Sequence, residues 1–92
     1  MGREAIISIG TTATKILDIN PKRSEYILNN QSAVTIYLGI SKEVSTSGTR
    51  QGRALGAGAL ESANSKDEPK LIREELYGIV ATGTATLWVW EA

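Results

Sequence analysis

The sequence predicts an all-β domain, namely a small β-sandwich or jelly-roll-like domain with an extended N-terminal arm. Val, Ile, Thr and Tyr, which favour strands, are frequent along the chain. Gly, Ser or Asn-Pro groups interrupt these residues about every ten positions, which is typical of short strands joined by turns. The 92 residues, of which 41% are hydrophobic, suffice for one modest core. We therefore expect residues 1–92 to form a single domain.

Residues 1–14 are predicted to form an opening strand or an extended arm. The apolar side chains of this segment are Ile6, Ile7 and Ile9, and the Gly-Thr-Thr break at 10–12 follows them. An extended segment of this kind can add a strand to the exposed edge of a neighbouring sheet, where main-chain hydrogen bonds supply affinity. We therefore expect the three isoleucines to contact a partner.

The next elements are a strand and a hairpin. The strand at 15–19 is expected to stop at the Asn-Pro pair at 20–21, because proline cannot donate a ladder hydrogen bond. Residues 24–28 and 33–40 are expected to form the hairpin, with the polar residues at 29–32 as its turn. The second of these strands alternates, which places four apolar side chains on one core face: Val34, Ile36, Leu38 and Ile40.

Hydrophobic periodicity is weak in the middle of the chain. Residues 45–52 are rich in Ser, Thr and Gly and are predicted to form an exposed loop. A short strand is expected within 53–60, followed by a second long loop over 61–70. Residues 71–76 fit either a strand or one to two helical turns.

The last predicted element is a second hairpin. Residues 76–81 and 85–90 flank a Thr-Gly-Thr turn in which Gly83 can supply a positive φ angle. If Leu87 and Val89 fill the interior, Trp88 and Trp90 lie on the outer face of the same strand. Three explanations are open for that pair: cover by the domain's own loops, an interface with a subunit or partner, or a platform on which sugars or bases stack.

The composition argues against several kinds of catalysis and predicts a protein that is not an enzyme. The chain has no histidine and no cysteine, which excludes Ser-His-Asp and Cys-His catalysis and His- or Cys-ligated metal sites. The adjacent carboxylates Glu74 and Glu75 diverge in either a strand or a helix, so a paired acid and base is disfavoured. Asp67 and Glu68 lack the further spaced oxygen ligands of a calcium loop. We expect no catalytic residue, no metal site and no cofactor.

Glycines and arginines alternate between residues 48 and 58, where Arg50 and Arg53 invite comparison with a phosphate-binding loop. Such a loop needs a lysine after its last glycine and a transition from strand to helix, and neither is visible. A flexible loop or close backbone approach is the simpler explanation. The two arginines are nevertheless candidates for contact with nucleic acid or an acidic partner.

The charges sum to zero, with ten basic and ten acidic residues, which argues against a nucleic-acid binder. Residues 1–53 hold seven basic and four acidic side chains, a net +3, and residues 54–92 hold three and six, a net −3. These halves can attract each other within one fold or between copies. No apolar run is long enough to span a bilayer and no secretory signal is visible, so synthesis in a cytoplasm is expected.

Four short motifs follow one another along the chain: N-P-x-R at 20–23, an N-x-S turn within 29–32, Y-L-G at 37–39 and G-T-x-x-aliphatic at 83–87. In this order they resemble the motifs of small β-sandwich virion proteins encoded among the structural genes of tailed phages. The resemblance covers about residues 14–91. It implies a capsid decoration or head-fibre protein that stabilises the head shell, binds the major capsid protein and forms a homo-oligomer, with a trimer favoured.

The expected function is therefore that of a virion structural protein on the capsid surface. The residues expected to contact partners are Ile6, Ile7, Ile9, Arg50, Arg53, Trp88 and Trp90. The alternative is a carbohydrate- or receptor-binding module, in which Trp88, Trp90 and Tyr77 stack on sugar rings.

Overall fold

The computed structural model describes residues 3–20, 22–64 and 74–92. These residues contain eight β-strands and one short 3-10 helix: β1 Arg3–Ile9, β2 Thr14–Leu17, β3 Glu25–Asn30, β4 Ile36–Gly39, η1 Gly48–Arg50, β5 Arg53–Leu55, β6 Leu60–Asn64, β7 Leu76–Ile79 and β8 Ala85–Glu91. None of the described helical structure has the length and apolar character needed to cross a membrane.

The strands form two four-stranded antiparallel sheets. Sheet A has the order β1-β8-β3-β6, and sheet B has the order β2-β7-β4-β5. The first strand thus pairs with the eighth, the second with the seventh, the third with the sixth and the fourth with the fifth. The chain is in effect one long hairpin rolled up into a sandwich, which is the winding of a jelly roll. The prediction of a small all-β sandwich is confirmed.

Both predicted hairpins are wrong, although each contains two real strands. β3 lies in sheet A and β4 in sheet B, and β7 and β8 are divided in the same way. Gly83 does have a positive φ of 74°, but its turn carries the chain from one sheet to the other. Alternation and turn residues locate a strand and its faces, whereas they do not identify the strand beside it.

The N-terminal segment is part of the sandwich, which corrects the expectation of an extended arm. All seven residues of β1 pair with β8, from Arg3 opposite Glu91 to Ile9 opposite Ala85. Ile9 is fully buried and Ile7 packs against the core, while Ile6 points outward and is exposed. The segment is therefore an edge strand held by its own domain.

Two other boundaries differ from the prediction. β2 ends at Leu17, so Ile19 lies outside the strand and is 64% exposed. Residues 61–64, predicted as loop, belong to β6, because Ala63 faces the core and Glu61 faces the same side. The rest of the predicted loop, residues 65–70, lies outside the described residues. The segment at 71–76 fits a helix or a strand by its sequence; its residues 71–73 are also outside the described range, and β7 begins at Leu76.

The core lies between the two sheets and is apolar. Each strand contributes alternate side chains to it, as the two-residue period of a strand requires. Of the predicted core face on β4, Ile36 and Leu38 are buried, Val34 packs at the margin and Ile40 is exposed.

A buried arginine fastens three separate segments near the end of β8. The Arg23 side chain is 1% exposed, and its Nε donates to Oε2 of Glu91 at 2.7 Å. Its Nη1 donates to the carbonyl oxygen of Glu74 at 3.2 Å, and its Nη2 donates to that of Asp18 at 2.5 Å. Arg3 contacts the other Glu91 oxygen at 3.3 Å. We call Arg23 and Glu91 the arginine clasp, because they link the ends of strands in both sheets.

A buried asparagine fastens the two sheets at another point. Asn30, the last residue of β3, is fully buried, and its Nδ2 donates to the carbonyl oxygens of Val34, Leu55 and Gly56 at 2.8–3.1 Å. Its Oδ1 accepts hydrogen bonds from the backbone nitrogen and the hydroxyl of Ser32. The side chain thereby links β3 of sheet A to the end of β5 in sheet B, and it provides hydrogen bonds for carbonyl oxygens that would otherwise be costly to bury.

Replacing Arg23 with methionine should reduce the free energy of unfolding by about 3–5 kcal/mol, because the substitution leaves the mostly buried Glu91 carboxylate without its principal partner. Urea unfolding followed by circular dichroism measures this change. Arg50→Met, which removes an exposed ion pair with Glu43, should cost roughly 0–1 kcal/mol. Equal losses in the two variants would show that the clasp does not stabilise the fold.

Candidate interaction surface

β8, one of the two central strands of sheet A, turns two tryptophans away from the core. Leu87 and Val89 of β8 are buried between the sheets, which confirms the expected alternation. Trp88 and Trp90 lie on the outer face and are only partly buried. The register of β8 therefore determines both the core and the outer surface of this sheet.

Neighbouring strands place further apolar side chains around the tryptophans. Trp88 lies between Ile6 of β1 and Asn29 of β3, and Leu60 of β6 follows Asn29 in the same row. Trp90 lies in the next row, beside Ile27 of β3. We call this surface the tryptophan face and define it by five residues: Ile6, Ile27, Leu60, Trp88 and Trp90.

The tryptophan face is apolar and partly open. Ile6 and Leu60, at its two sides, are 66% and 63% exposed. The Trp88 indole Nε1 donates to Oε2 of Glu4 at 2.5 Å, and Glu4 is the residue opposite Trp90. This hydrogen bond crosses from one row to the next and fixes the orientation of the indole. Such amphipathic rings, with one polar contact and a large apolar body, are common at protein interfaces.

Tyr77 lies on the opposite side of the molecule, which corrects the expectation that it could stack on a sugar together with the tryptophans. β7 belongs to sheet B, and Tyr77 points away from the core on its outer face, opposite Lys15 of β2. The Lys15 Nζ lies 5.9 Å from the centre of the Tyr77 ring. The whole thickness of the sandwich separates this ring from Trp88 and Trp90.

The two candidate arginines are ion-paired within the chain. Arg53 of β5 makes a bidentate contact with Glu61 of β6, with Nε to Oε1 at 2.9 Å and Nη2 to Oε2 at 2.6 Å. Its Nη2 also donates to the Tyr26 hydroxyl at 3.2 Å. The hydrogen bond with Glu61 raises the pKa of Arg53. Arg53 therefore joins an edge of sheet B to an edge of sheet A, while Arg50 pairs with Glu43 at 3.0 Å in an exposed position.

A hollow of about 280 Å³ lies between β4 and the loop that contains η1. Leu38, Val44 and Gly52 are among its lining residues, and Arg50 and Arg53 also border it. The backbone approaches closely here, since a Cβ atom on Gly52 would lie 2.5 Å from the Leu38 carbonyl oxygen. Close backbone approach, rather than phosphate contact, explains this glycine.

The Glu75 carboxylate, next to β7, contacts a lysine and a tyrosine hydroxyl of the chain. Glu75 lies 3.7 Å from the Lys15 Nζ and accepts a 3.4 Å hydrogen bond from the Tyr77 hydroxyl. Lys15 also contacts Asp18 at 3.2 Å, and its hydrogen bond to that residue raises the pKa of Lys15. Across the described ranges, no three Asp or Glu side chains converge as a metal site would require. Asp67 and Glu68 lie outside those ranges.

The sequence pattern does not reveal the polar residues that organise the fold. Arg23 lies in the N-P-x-R motif, and Asn30 lies in the polar segment 29–32 that predicts a turn. Each residue lies in a short polar segment beside an apolar strand, as solvent-exposed residues do, so the local sequence does not mark it as buried. Tertiary contacts with Glu91 and Leu55, both distant in sequence, distinguish the two cases.

No known family matches the chain, and no curated protein matches it significantly. A solved chain from the study "Bacillus endospore appendages form a novel family of disulfide-linked pili" superposes with a TM-score of 0.41 and 13% sequence identity. The superposition covers 98% of this chain and 85% of that one. A similarity of this degree establishes neither a common fold nor a common function.

Gly52→Ala should lower the free energy of unfolding by about 1–3 kcal/mol, because the added methyl group collides with the backbone of β4. Gly56→Ala is the matched control, since a Cβ atom there meets nothing within 4 Å and should change stability by less than about 1 kcal/mol. Thermal or urea unfolding compares the two. Equal stabilities would contradict the close approach.

Proposed function

We propose that this chain is a non-enzymatic structural protein of a tailed-phage virion, in which it binds the outside of the head shell as a homo-oligomer. The proposed partner is the major capsid protein, and the proposed oligomer is a trimer. The observation that carries the proposal is the tryptophan face, where Trp88 and Trp90 lie beside the exposed side chains of Ile6 and Leu60.

Burial of such a surface favours association with another protein. Each square ångström of apolar surface removed from water contributes about 25 cal/mol, and tryptophans are frequent among the residues that dominate binding. A sheet face fastened by the arginine clasp and Asn30 loses little conformational freedom on binding, which reduces the entropic cost. On a repeating shell, several linked copies add avidity to a modest single contact.

The fold and the sequence motifs support the architecture of the proposed protein more directly than its function. Jelly rolls occur in viral capsid proteins, but also in lectins and other proteins, so the fold alone does not define the function. The motifs that resemble phage virion proteins include Arg23 and Asn30, whose contacts maintain the sandwich. These motifs support a related architecture, and the capsid assignment depends on the tryptophan face.

The second candidate is a carbohydrate- or receptor-binding module. Trp88 and Trp90 are spaced by two residues on an open sheet face, and the Glu4 carboxylate lies beside them. Aromatic rings next to a hydrogen-bond acceptor can bind a sugar through its apolar face and its hydroxyl groups. This candidate requires a small ligand on the same surface, without the contribution first expected from Tyr77.

Co-sedimentation with purified expanded heads of the phage that carries the gene tests the proposed function. The unmodified chain should pellet with the heads, and Trp88→Ala should raise the dissociation constant at least about tenfold, since loss of an interface tryptophan typically exceeds about 1.4 kcal/mol. Tyr77→Ala, an aromatic truncation on the opposite face, is the control and should bind normally.

Failure of the unmodified chain to bind heads would contradict the capsid proposal. A glycan array probed with the same three proteins examines the second candidate. Binding of a defined glycan that is lost in Trp88→Ala and kept in Tyr77→Ala would favour that function.

A further inference from the structure

Within residues 3–20, 22–64 and 74–92, sheet A has two edges that no further strand pairs with. β1 forms one edge and β6 the other, and no described strand pairs with the outer side of either. Edge strands usually carry a charge, a proline or a bulge that prevents pairing with another chain. The stretch from Ala5 to Ile9 in β1 has no charged residue and no proline, and its register with β8 is regular.

The two edges carry matching apolar side chains. Ile6 on β1 and Leu60 on β6 are both about two-thirds exposed, and both belong to the tryptophan face. They also occupy the same row across the sheet, since Ile6 pairs with Trp88, Trp88 with Asn29 and Asn29 with Leu60. Each side chain is covered by a neighbouring strand on one side only.

The strand directions permit the two edges to join. Successive strands of sheet A are antiparallel, so β6 runs opposite to β1. A second copy in the same orientation can therefore align its β1 antiparallel to β6 of the first. With Ile6 opposite Leu60, the antiparallel register also places Glu4 opposite Ser62, which keeps the outward side chains of both strands on one face.

We propose that a second copy of this chain occupies these edges, with β1 of one copy added to β6 of the next and Ile6 packed against Leu60. A second copy fits because every molecule presents one edge of each kind. The contact is head-to-tail, and it generates a ring if the rotation between copies closes and an open chain if it does not. A two-fold pairing of β1 with β1 would leave β6 and Leu60 uncovered.

This contact specifies how copies associate in the oligomer of the proposed function. The inference rests on the proposed function only because that function includes an oligomer. Its test uses the isolated protein, so failure to bind phage heads and failure to self-associate are separate results. The continuous sheet would extend the tryptophan face from one copy to the next, which enlarges the surface available to a shell.

Light scattering and sedimentation of the variants Ile6→Lys and Leu60→Lys test the contact. The unmodified chain should exceed the protomer mass in a concentration-dependent manner, and each variant should be a monomer, because the lysine places an unpaired charge in the row. Ile19→Lys is the matched control, since Ile19 is 64% exposed and lies outside every strand. It should keep the mass of the unmodified chain.

Mixing the two monomeric variants is the decisive step. Ile6→Lys retains an intact β6 edge and Leu60→Lys retains an intact β1 edge, so the mixture should form a one-to-one heterodimer of twice the protomer mass. A monomeric unmodified chain, a Leu60→Lys variant that keeps the unmodified mass, or a mixture that stays monomeric would each overturn the proposal. Circular dichroism of each variant verifies that it is folded, and Ile6→Thr with Leu60→Thr provides a milder second pair.

Discussion

The two-residue period of β8 is the constraint on which the rest of the structure depends. β8 lies between β1 and β3 in sheet A. Each of its side chains therefore has a strand on both sides and faces either the core or the outer surface of the sheet. Leu87 and Val89 are buried, and the residues between and after them, Trp88 and Trp90, form the centre of the tryptophan face. A shift of one residue would exchange these roles and place two indoles in a core too small to hold them.

Among the described residues, part of the charge difference between the two halves of the sequence is compensated by ion pairs within the fold. Glu91 receives Arg3 and Arg23, and the Arg53 guanidinium binds Glu61. Each of these contacts joins a basic residue of 1–53 to an acidic residue of 54–92. Of the two explanations for the asymmetry, attraction within one fold accounts for these pairs. The surface proposed to bind partners, the tryptophan face, is apolar and does not include these ion pairs.

Local patterns predicted the strands but not their neighbours. The alternation in β4 and β8 correctly placed Ile36, Leu38, Leu87 and Val89 in the core. Pairing was mistaken because a jelly roll joins the first strand to the last, and the register of residues 3–9 with 85–91 leaves no local signal. The roles of polar residues such as Asn30 were equally hidden, since only contacts distant in sequence distinguish a buried amide from one in an exposed turn.

The central claim is that β8 presents a partly open apolar face that becomes covered when the protein associates. Acrylamide quenching of the single-tryptophan variant Trp90→Phe reports directly on Trp88. Quenching should be intermediate for the isolated protein, and it should fall when the protein is bound to phage heads, because the shell then covers the face. A Trp88 that is inaccessible to acrylamide even in the dilute monomer would contradict the claim, because the domain itself would then already cover the face.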